Sequence, residues 1–458
     1  MTTTVAPPRP GSGPSRDYRF PPFERLTLEN GLSIVVAPVS KLPVVTVLAV
    51  VDAGASADPA GREGVALLTA QALAEGTRAR DGVALADQFE RLGTALDTSA
   101  DWDSAVVRVT VTSSRLAEAM RLVAEVLREP SFPEREVERL KQERLAELLQ
   151  QQTEPRGLAD DMFDRFAYVP SSRYALPEGG VERTVAALTR DGVESFYRAR
   201  YSPTATTLIV VGDVTPNAAR SMAGESFDAW SGAVITAPPV SDRPARLART
   251  VHVVGKADAP QSELRVGHVG LPRRHPDYFP VVVMNAILGG LFSSRINLNL
   301  REAHAYTYGA FSSFDWRRAA GPFSVATAVR SDVTDAAVRE ILLEIDRMRG
   351  EAVSDAELSL ATSYLDGVFP IRFESTTAIA NALAGLVTYG LPSDYFDQYR
   401  ANIRSVTASQ VLEAARAHVR PDHLQIVAVG DPSLVREPLE RLDLGPVHAY
   451  DAEGRPSD

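Results

Sequence analysis

The sequence predicts an α+β protein built of two mixed α/β sandwich lobes related by internal duplication. Three observations predict it. Segments 188–214 and 406–432 match without a gap, a Pro-rich stretch separates the two halves, and strand-like and helix-like patterns alternate irregularly. Hairpin signals among those patterns favour a mixed sandwich over a doubly wound parallel sheet.

LTRDGVESFYRARYSPTATTLIVVGDV at 188–214 aligns with VTASQVLEAARAHVRPDHLQIVAVGDP at 406–432, at a constant offset of 218 residues (407 minus 189). Thr189 meets Thr407, Val193 meets Val411, Ala199 meets Ala417 and Pro203 meets Pro421, while Val211, Gly212 and Asp213 meet Val429, Gly430 and Asp431. Both segments read as a helix opened by Thr and stopped near Pro, then a β-branched strand ending at a Gly-Asp turn. A period this long cannot be a solenoid of short repeats and implies a doubled domain.

Residues 1–20 are rich in Pro, Gly, Ser and Thr and predict a flexible tail with no signal peptide. The first lobe, 21–230, opens with strand patterns at 24–29 and 32–37 around Asn30-Gly31, a two-residue hairpin signal. Apolar, β-branched runs at 42–51 and 105–111 add strands. Helical patterns mark 64–75, 84–92, 116–127 and 133–150, the last opened by Pro133 with Glu134 and Glu136 in its first turn. SGAVITAPPVSDRPARL at 231–247 carries Pro238, Pro239 and Pro244 and predicts a linker. The second lobe covers 248–445, and 446–458 is expected to be a short tail. A cleft between two lobes is a common place for a ligand.

With 458 residues, 45% hydrophobic and 23% charged, the composition is that of a soluble globular protein of more than one domain. The net charge of -11 lacks the basic footprint of a nucleic-acid binder. Zero Cys excludes disulfides, thiolate nucleophiles and Cys-held zinc or iron–sulfur clusters, and fits a reducing compartment. No apolar run approaches the ~20 residues that span a bilayer, so a cytoplasmic protein without membrane contact is expected. Serine and nucleotide chemistry lack support, because neither a Gly-x-Ser-x-Gly elbow nor a phosphate loop is present. The seven His residues are His252, His268, His275, His304, His418, His423 and His448, so the first lobe has none. A hydrolytic zinc ion there would lack imidazole.

Asn30-Gly31, Gly54 and GVALLTAQALAEGT at 64–77 carry a resemblance that the second half shares through Leu288-Gly289-Gly290, Phe292-Ser293-Ser294-Arg295, Leu300-Arg301-Glu302 and Tyr308. Together they closely resemble the insulinase, or pitrilysin, family of zinc metallopeptidases (M16, most like its M16B branch), over about residues 24–432. The resemblance implies lobes of the metallopeptidase and mitochondrial-processing-peptidase type. Active members carry His-x-x-Glu-His on the first helix, where two His bind zinc and Glu activates the bound water. Those positions here are Leu67, Ala70 and Gln71: no lone pair, no base and a poor amide ligand. The family's third ligand, a Glu on a later helix, falls on Glu147, which an ordinary charged helix surface beside Arg144 explains as well. No metal is therefore expected on this chain.

In the family, the C-terminal signature ends a helix with Arg and places Tyr seven residues later on the next strand, both reaching into the cleft. Arg301 and Tyr308 stand at those positions, where the resemblance implies that they hold substrate backbone and help stabilise an oxyanion. By spacing alone, an Arg on a solvated helix face and an unrelated Tyr explain them better, and it is the matching segment around them, Gly289-Gly290, Ser293-Ser294-Arg295 and Leu300, that favours the family reading. The segment departs from the family pattern at Ala303, His304, Ala305 and Tyr306, and His304 reads as a neighbouring polar residue. A peptide-binding edge strand of the family maps to 96–102, but Asp97 and Thr98 replace its Asn-Ala turn; edge-strand addition stays physically available. Trp102 reads equally as core.

Some relatives divide labour between two chains, one keeping zinc and the other keeping the Arg/Tyr pair. The resemblance thus implies a chain inactive alone, which binds short or unfolded peptides and supplies Arg301 and Tyr308 to a zinc-bearing partner of the same family in a heterodimer. The competing reading is an inactive scaffold or binding protein of the same fold.

Overall fold

The computed structural model describes residues 17–232 and 239–457. Two six-stranded sheets organise the chain. The first contains β1 (Glu24–Thr27), β2 (Ser33–Pro38), β3 (Val44–Val51), β4 (Asp97–Ala100), β5 (Ala105–Thr112) and β6 (Thr206–Gly212), in the order β1-β2-β6-β3-β5-β4. The second contains β7 (Thr250–Gly255), β8 (Gln261–Val269), β9 (Ala310–Phe314), β10 (Pro322–Arg330), β11 (Gln425–Gly430) and β12 (Val447–Tyr450), in the order β12-β7-β11-β8-β10-β9. β6 and β11, the strands of the internal match, hold the same place in the two sheets. Each runs parallel to one neighbour, β2 or β7, and antiparallel to the other, β3 or β8.

The sheets differ only at one rim. β1 enters from the start of the chain, antiparallel to β2, whereas β12 arrives from its end, parallel to β7. The stretch 446–458 is thus not simply a tail, because Val447–Tyr450 completes a sheet. The expected N-terminal tail is also shorter at its inner end. Phe20 is buried, with its ring stacked 4.2 Å from that of Phe396, and Tyr18 meets Phe369 and Phe373. Residues 1–16 lie outside the described residues.

Strands of this sheet read as almost unbroken apolar runs because both of their faces are covered. In β3, Val45, Val47, Ala49 and Val51 face the first lobe's own helices. Leu48 and Val50 face a helix of the other half, Thr376–Thr388, through Ile379, Ala380 and Leu383. The second sheet is covered reciprocally. Helix Pro155–Ala167 of the first half lays Leu158, Met162, Phe163 and Phe166 against Val254, Val427 and Val429. Each half therefore lends the other a helix, and the boundary between lobes is a pair of apolar layers.

The four expected helices form as Val65–Ala72, which tightens into Leu73–Glu75, then Gly82–Arg91, Leu116–Arg128 and Glu134–Thr153. The Asn-Gly turn differs from expectation. Leu28 N–H donates to Leu32 O at 2.9 Å and Gly31 N–H to Leu28 O at 3.0 Å, giving a three-residue loop with Gly31 at φ +89. This pattern uses Gly at the left-handed position. Asn30 is then free to donate to Phe227 O and Trp230 O, at 2.8 and 3.1 Å.

Residues 233–238 of the expected linker lie outside the described residues. Its later part docks on the first half, where Val169 N–H donates to Arg243 O and Ala245 N–H to Ala167 O. The stretch Tyr278–Ala303 is long and apolar enough, by length and composition, to cross a membrane, but 56% of its apolar window is buried inside the second lobe. Core packing accounts for its composition.

Candidate functional site

Helix Val65–Ala72 starts at Gly64, whose φ of +99 suits a residue without Cβ. Asp58 caps it, accepting from Gly64 N–H at 2.7 Å and Ala66 N–H at 2.9 Å, and pairs with Arg173 at 2.9 Å. On this helix Leu67 and Gln71 are half-buried and Ala70 is fully buried. Helix Glu134–Thr153 packs against it and carries Glu147, whose side chain is 60% exposed and 3.1 Å from Arg144. Arg144 in turn donates to Gly179 O at 3.1 Å. The fold thus brings together the two helices that carry the four degenerate positions, but three of the four side chains are poor or impossible ligands. This donor set does not fit zinc.

The second half is built differently. The chain from Tyr278–Asn285 continues through two wide helical turns, Ala286–Gly290 and Leu298–Ala303, marked by bonds of span five from Leu291 N–H to Ala286 O and from His304 N–H to Asn299 O. Such turns are rare and are found disproportionately at functional sites. The backbone at Gly289 lies against β9, and a Cβ there would meet Ser312 N at 2.5 Å. Asn285 accepts from the Ser312 hydroxyl at 2.8 Å and donates to Ser312 O at 3.0 Å. Arg295 forms a two-point pair with Glu357, at 2.6 and 3.1 Å, which holds the Glu357 carboxyl down to about 2. Arg295 of the signature is therefore structural.

Arg301 lies in the last turn of the helical segment Leu298–Ala303, with its guanidinium 4.4 Å from the Phe292 ring centroid. Nη1 is 2.9 Å from Glu302 Oε1, a charge contact outside good hydrogen-bond geometry. Tyr308 does not stand on a strand as the resemblance implied. It occupies a bend just before β9, because the turn through Ala305, at φ +52, delays the start of pairing until Ala310. Its side chain is 94% exposed. The loop beneath it is fixed: Gly309 N–H donates to Thr307 Oγ1 at 3.1 Å, and Thr327 Oγ1 lies 3.0 Å from both Thr307 Oγ1 and Gly309 O. Among the described residues no hydrogen bond or ion pair joins Arg301 to Tyr308. Exposed Phe292, Leu298 and Phe311 belong to the same segment. His304 stacks on Tyr306, with centroids 4.9 Å apart.

β4, mapped from 96–102, is an edge strand that pairs, among the described residues, only with β5, and Asp97 is held by Arg108 across that pair. Trp102 belongs to the seam between the halves, not to the core of one. The Arg317 guanidinium lies 4.2 Å and that of Arg173 5.0 Å from its ring. Arg318 adds a bond to Asp52 at 2.7 Å, and its N–H donates to Asp103 at 2.8 Å. Carboxyls concentrate on the first-half side of this seam. Burial pushes Asp103 and Asp164 up to about 6 and Asp161 and Glu178 up to about 7. Asn297 also pins this segment, donating to Phe292 O and accepting from Ala310 N–H; the amides Asn285 and Asn297 and the seam arginines went unread in the sequence. An Asn inside an apolar helical run was the available signal for the first two.

Two family models match the chain: insulinase (peptidase family M16) over 34–170, and peptidase M16 inactive domain over 187–365. An uncharacterized zinc protease of Streptomyces coelicolor is 25% identical over 401 residues, 86% of each chain. A probable mitochondrial-processing peptidase subunit beta of Arabidopsis thaliana is 23% identical over 420 residues, 88% of this chain and 77% of that one. Among solved structures, a peptidase M16 inactive domain from Pseudomonas fluorescens superposes with a TM-score of 0.84 at 26% identity, covering 89% of this chain and 98% of that one. A protease from Helicobacter pylori gives 0.83 at 19% identity, covering 89% and 99%, a likeness of fold alone.

Proposed function

The chain belongs to the insulinase family of peptidases, M16, and on that premise we propose that it is a non-catalytic, peptide-binding subunit that pairs with a zinc-bearing chain of the same family. The contrast between its halves carries this reading. The helix that would grip zinc presents Leu67, Ala70 and Gln71, whereas the second lobe holds Tyr308 94% exposed on a pinned loop and keeps Arg301, a third exposed and paired with Glu302 at 2.9 Å, in the same segment.

The loop backbone beneath the phenol is already ordered, so binding has only the Tyr308 side chain to fix. The exposed third of the Arg301 side chain offers guanidinium donors to a substrate carbonyl, and such donors matter most where negative charge develops on oxygen. Relatives that are themselves named as processing-peptidase subunits support a partner of the same family. A cytoplasmic location fits the Cys-free sequence.

The test is to purify the chain with a family member that retains His-x-x-Glu-His and to assay peptide cleavage with and without chelator. The chain alone should cleave nothing. The mixture should cleave in a chelator-sensitive way that depends on Arg301 and Tyr308. Zinc-dependent cleavage by the purified single chain, or a mixture indifferent to both substitutions, overturns the proposal. The scaffold reading draws on Glu302, whose carboxylate already neutralises part of the Arg301 charge, and it expects no cleavage with any partner.

A further inference from the structure

The second lobe gathers His275, Asp277 and His418 at one point, with one donor atom from each lying within 4.8 Å of the others. His275 and Asp277 belong to the loop that leads into helix Tyr278–Asn285, and His418 is the last residue of helix Ala408–His418, which packs on it. His418 is only 9% exposed, and its Nε2 lies 2.7 Å from Asp277 Oδ2. His275 Nδ1 lies 3.9 Å from the same oxygen, and the two imidazoles meet edge to face with centroids 4.8 Å apart.

Asp277 gives a second, independent sign. It occupies the N-cap of its helix, where an Asp normally accepts from the first turn, yet its side chain makes no capping bond. The carboxylate is turned toward the imidazoles instead. His275 Nδ1 accepts from Asp277 N–H at 3.1 Å, so its lone pair is turned toward the carboxylate, and an ion bound through Nδ1 would displace that N–H.

We propose that His275, Asp277 and His418 form a binding site for a divalent transition metal of the zinc type, on a different lobe from the helix where the family's zinc motif is lost. Two imidazoles and one carboxylate suit borderline cations such as Zn²⁺, Co²⁺ or Fe²⁺, whereas Mg²⁺ and Ca²⁺ favour oxygen ligands. Three protein donors leave room for water at a fourth position. Binding would replace the proton shared between His418 and Asp277. The ion would clip the loop before Tyr278, at the head of the segment that ends in Arg301, to the end of helix Ala408–His418. This site does not depend on the subunit reading above.

The experiment uses the full chain, tag-free and stripped with chelator, titrated with Zn²⁺ by calorimetry and with Co²⁺ by visible absorption. Saturable uptake of one ion per chain is expected, weakened at least about tenfold by His275→Ala and by His418→Gln. The Gln keeps a donor for Asp277, and His275 is partly exposed, so both variants should fold; their circular dichroism and melting in chelator establish this. Zn²⁺ should raise the melting temperature of the native chain but not of the variants, since a ligand that binds only the folded state stabilises it. The absence of saturable binding overturns the site and leaves an imidazole–carboxylate ion pair. Binding that either substitution leaves undiminished also overturns it.

Discussion

Asn297 Oδ1 accepts the backbone N–H of Ala310 at 3.0 Å, and the same amide donates to Phe292 O at 2.6 Å. One fully buried side chain thus joins the helix that leads to Arg301 with the first residue of β9, two positions past Tyr308. Asn297→Ala would leave the buried N–H of Ala310 without its partner and take a donor from the part-buried Phe292 carbonyl. It should cost on the order of 2–3 kcal/mol, read from the denaturant midpoint. Hydrogen exchange should quicken across 305–312 more than in β3. Exchange that stays unchanged there would mean that Tyr308 is positioned by something else.

Tyr308→Phe separates function from folding. The hydroxyl is in solvent, so stability should shift by less than about 0.5 kcal/mol. If the phenol donates to substrate in the proposed complex, cleavage by the mixture should fall about 10²-fold. Arg301→Ala should cut cleavage similarly, with a small stability loss of about 0.5–1 kcal/mol from the contact with Phe292. Equal activity of Tyr308→Phe and the native chain in the mixture would count against the assigned role.

The sequence disclosed the duplication because a whole helix-turn-strand unit repeats in register, down to Gly212. There φ is +144, and a Cβ would lie 2.1 Å from Val44 O. It shows Leu67, Ala70 and Gln71 where the resemblance places zinc ligands and a base, because ligand chemistry is a property of residue type at fixed spacing. It did not disclose that Tyr308 precedes its strand, since the left-handed turn at Ala305 uses a residue that gives no warning of positive φ. The helix exchange was also hidden. Leu158, Phe163, Ile379 and Leu383 are apolar at helical spacing whichever lobe they cover, so periodicity could not say whose core they join. The metal triad was invisible for the same reason, because His418 lies 141 residues from Asp277.

The exchanged helices should behave as core. Phe163 is 3% exposed between the first-half helix and the second sheet, where Gly267 leaves the space its ring needs, since a Cβ there would lie 2.8 Å from Phe163 Cζ. Phe163→Ala should cost about 3–5 kcal/mol, and Leu383→Ala in the opposite layer about 2–5 kcal/mol. Melting by calorimetry should show both. A Phe163→Ala chain that melts like the native one would mean that this helix does not pack on the second sheet in solution.

Acidity should steady helix Pro155–Ala167 at Asp161. Burial, followed by the nearby charges of Asp164 and Asp160, pushes its carboxyl up to about 7, while in the unfolded chain it titrates near ~3.9. Between these values the folded chain holds a proton that the unfolded chain has lost. The group's contribution to stability is therefore fully present below about pH 4 and is lost as pH rises through 7. Asp161→Asn cannot ionise, and its Oδ1 can still accept from Gln151 Nε2, now 3.0 Å away. The variant should melt a few °C above the native chain at pH 8, with a smaller difference at pH 5 that closes toward pH 4. The same gain at pH 8 and pH 5 would mean that Asp161 carries its charge in the fold, because only a group neutral in the folded state makes the substitution depend on pH in this direction.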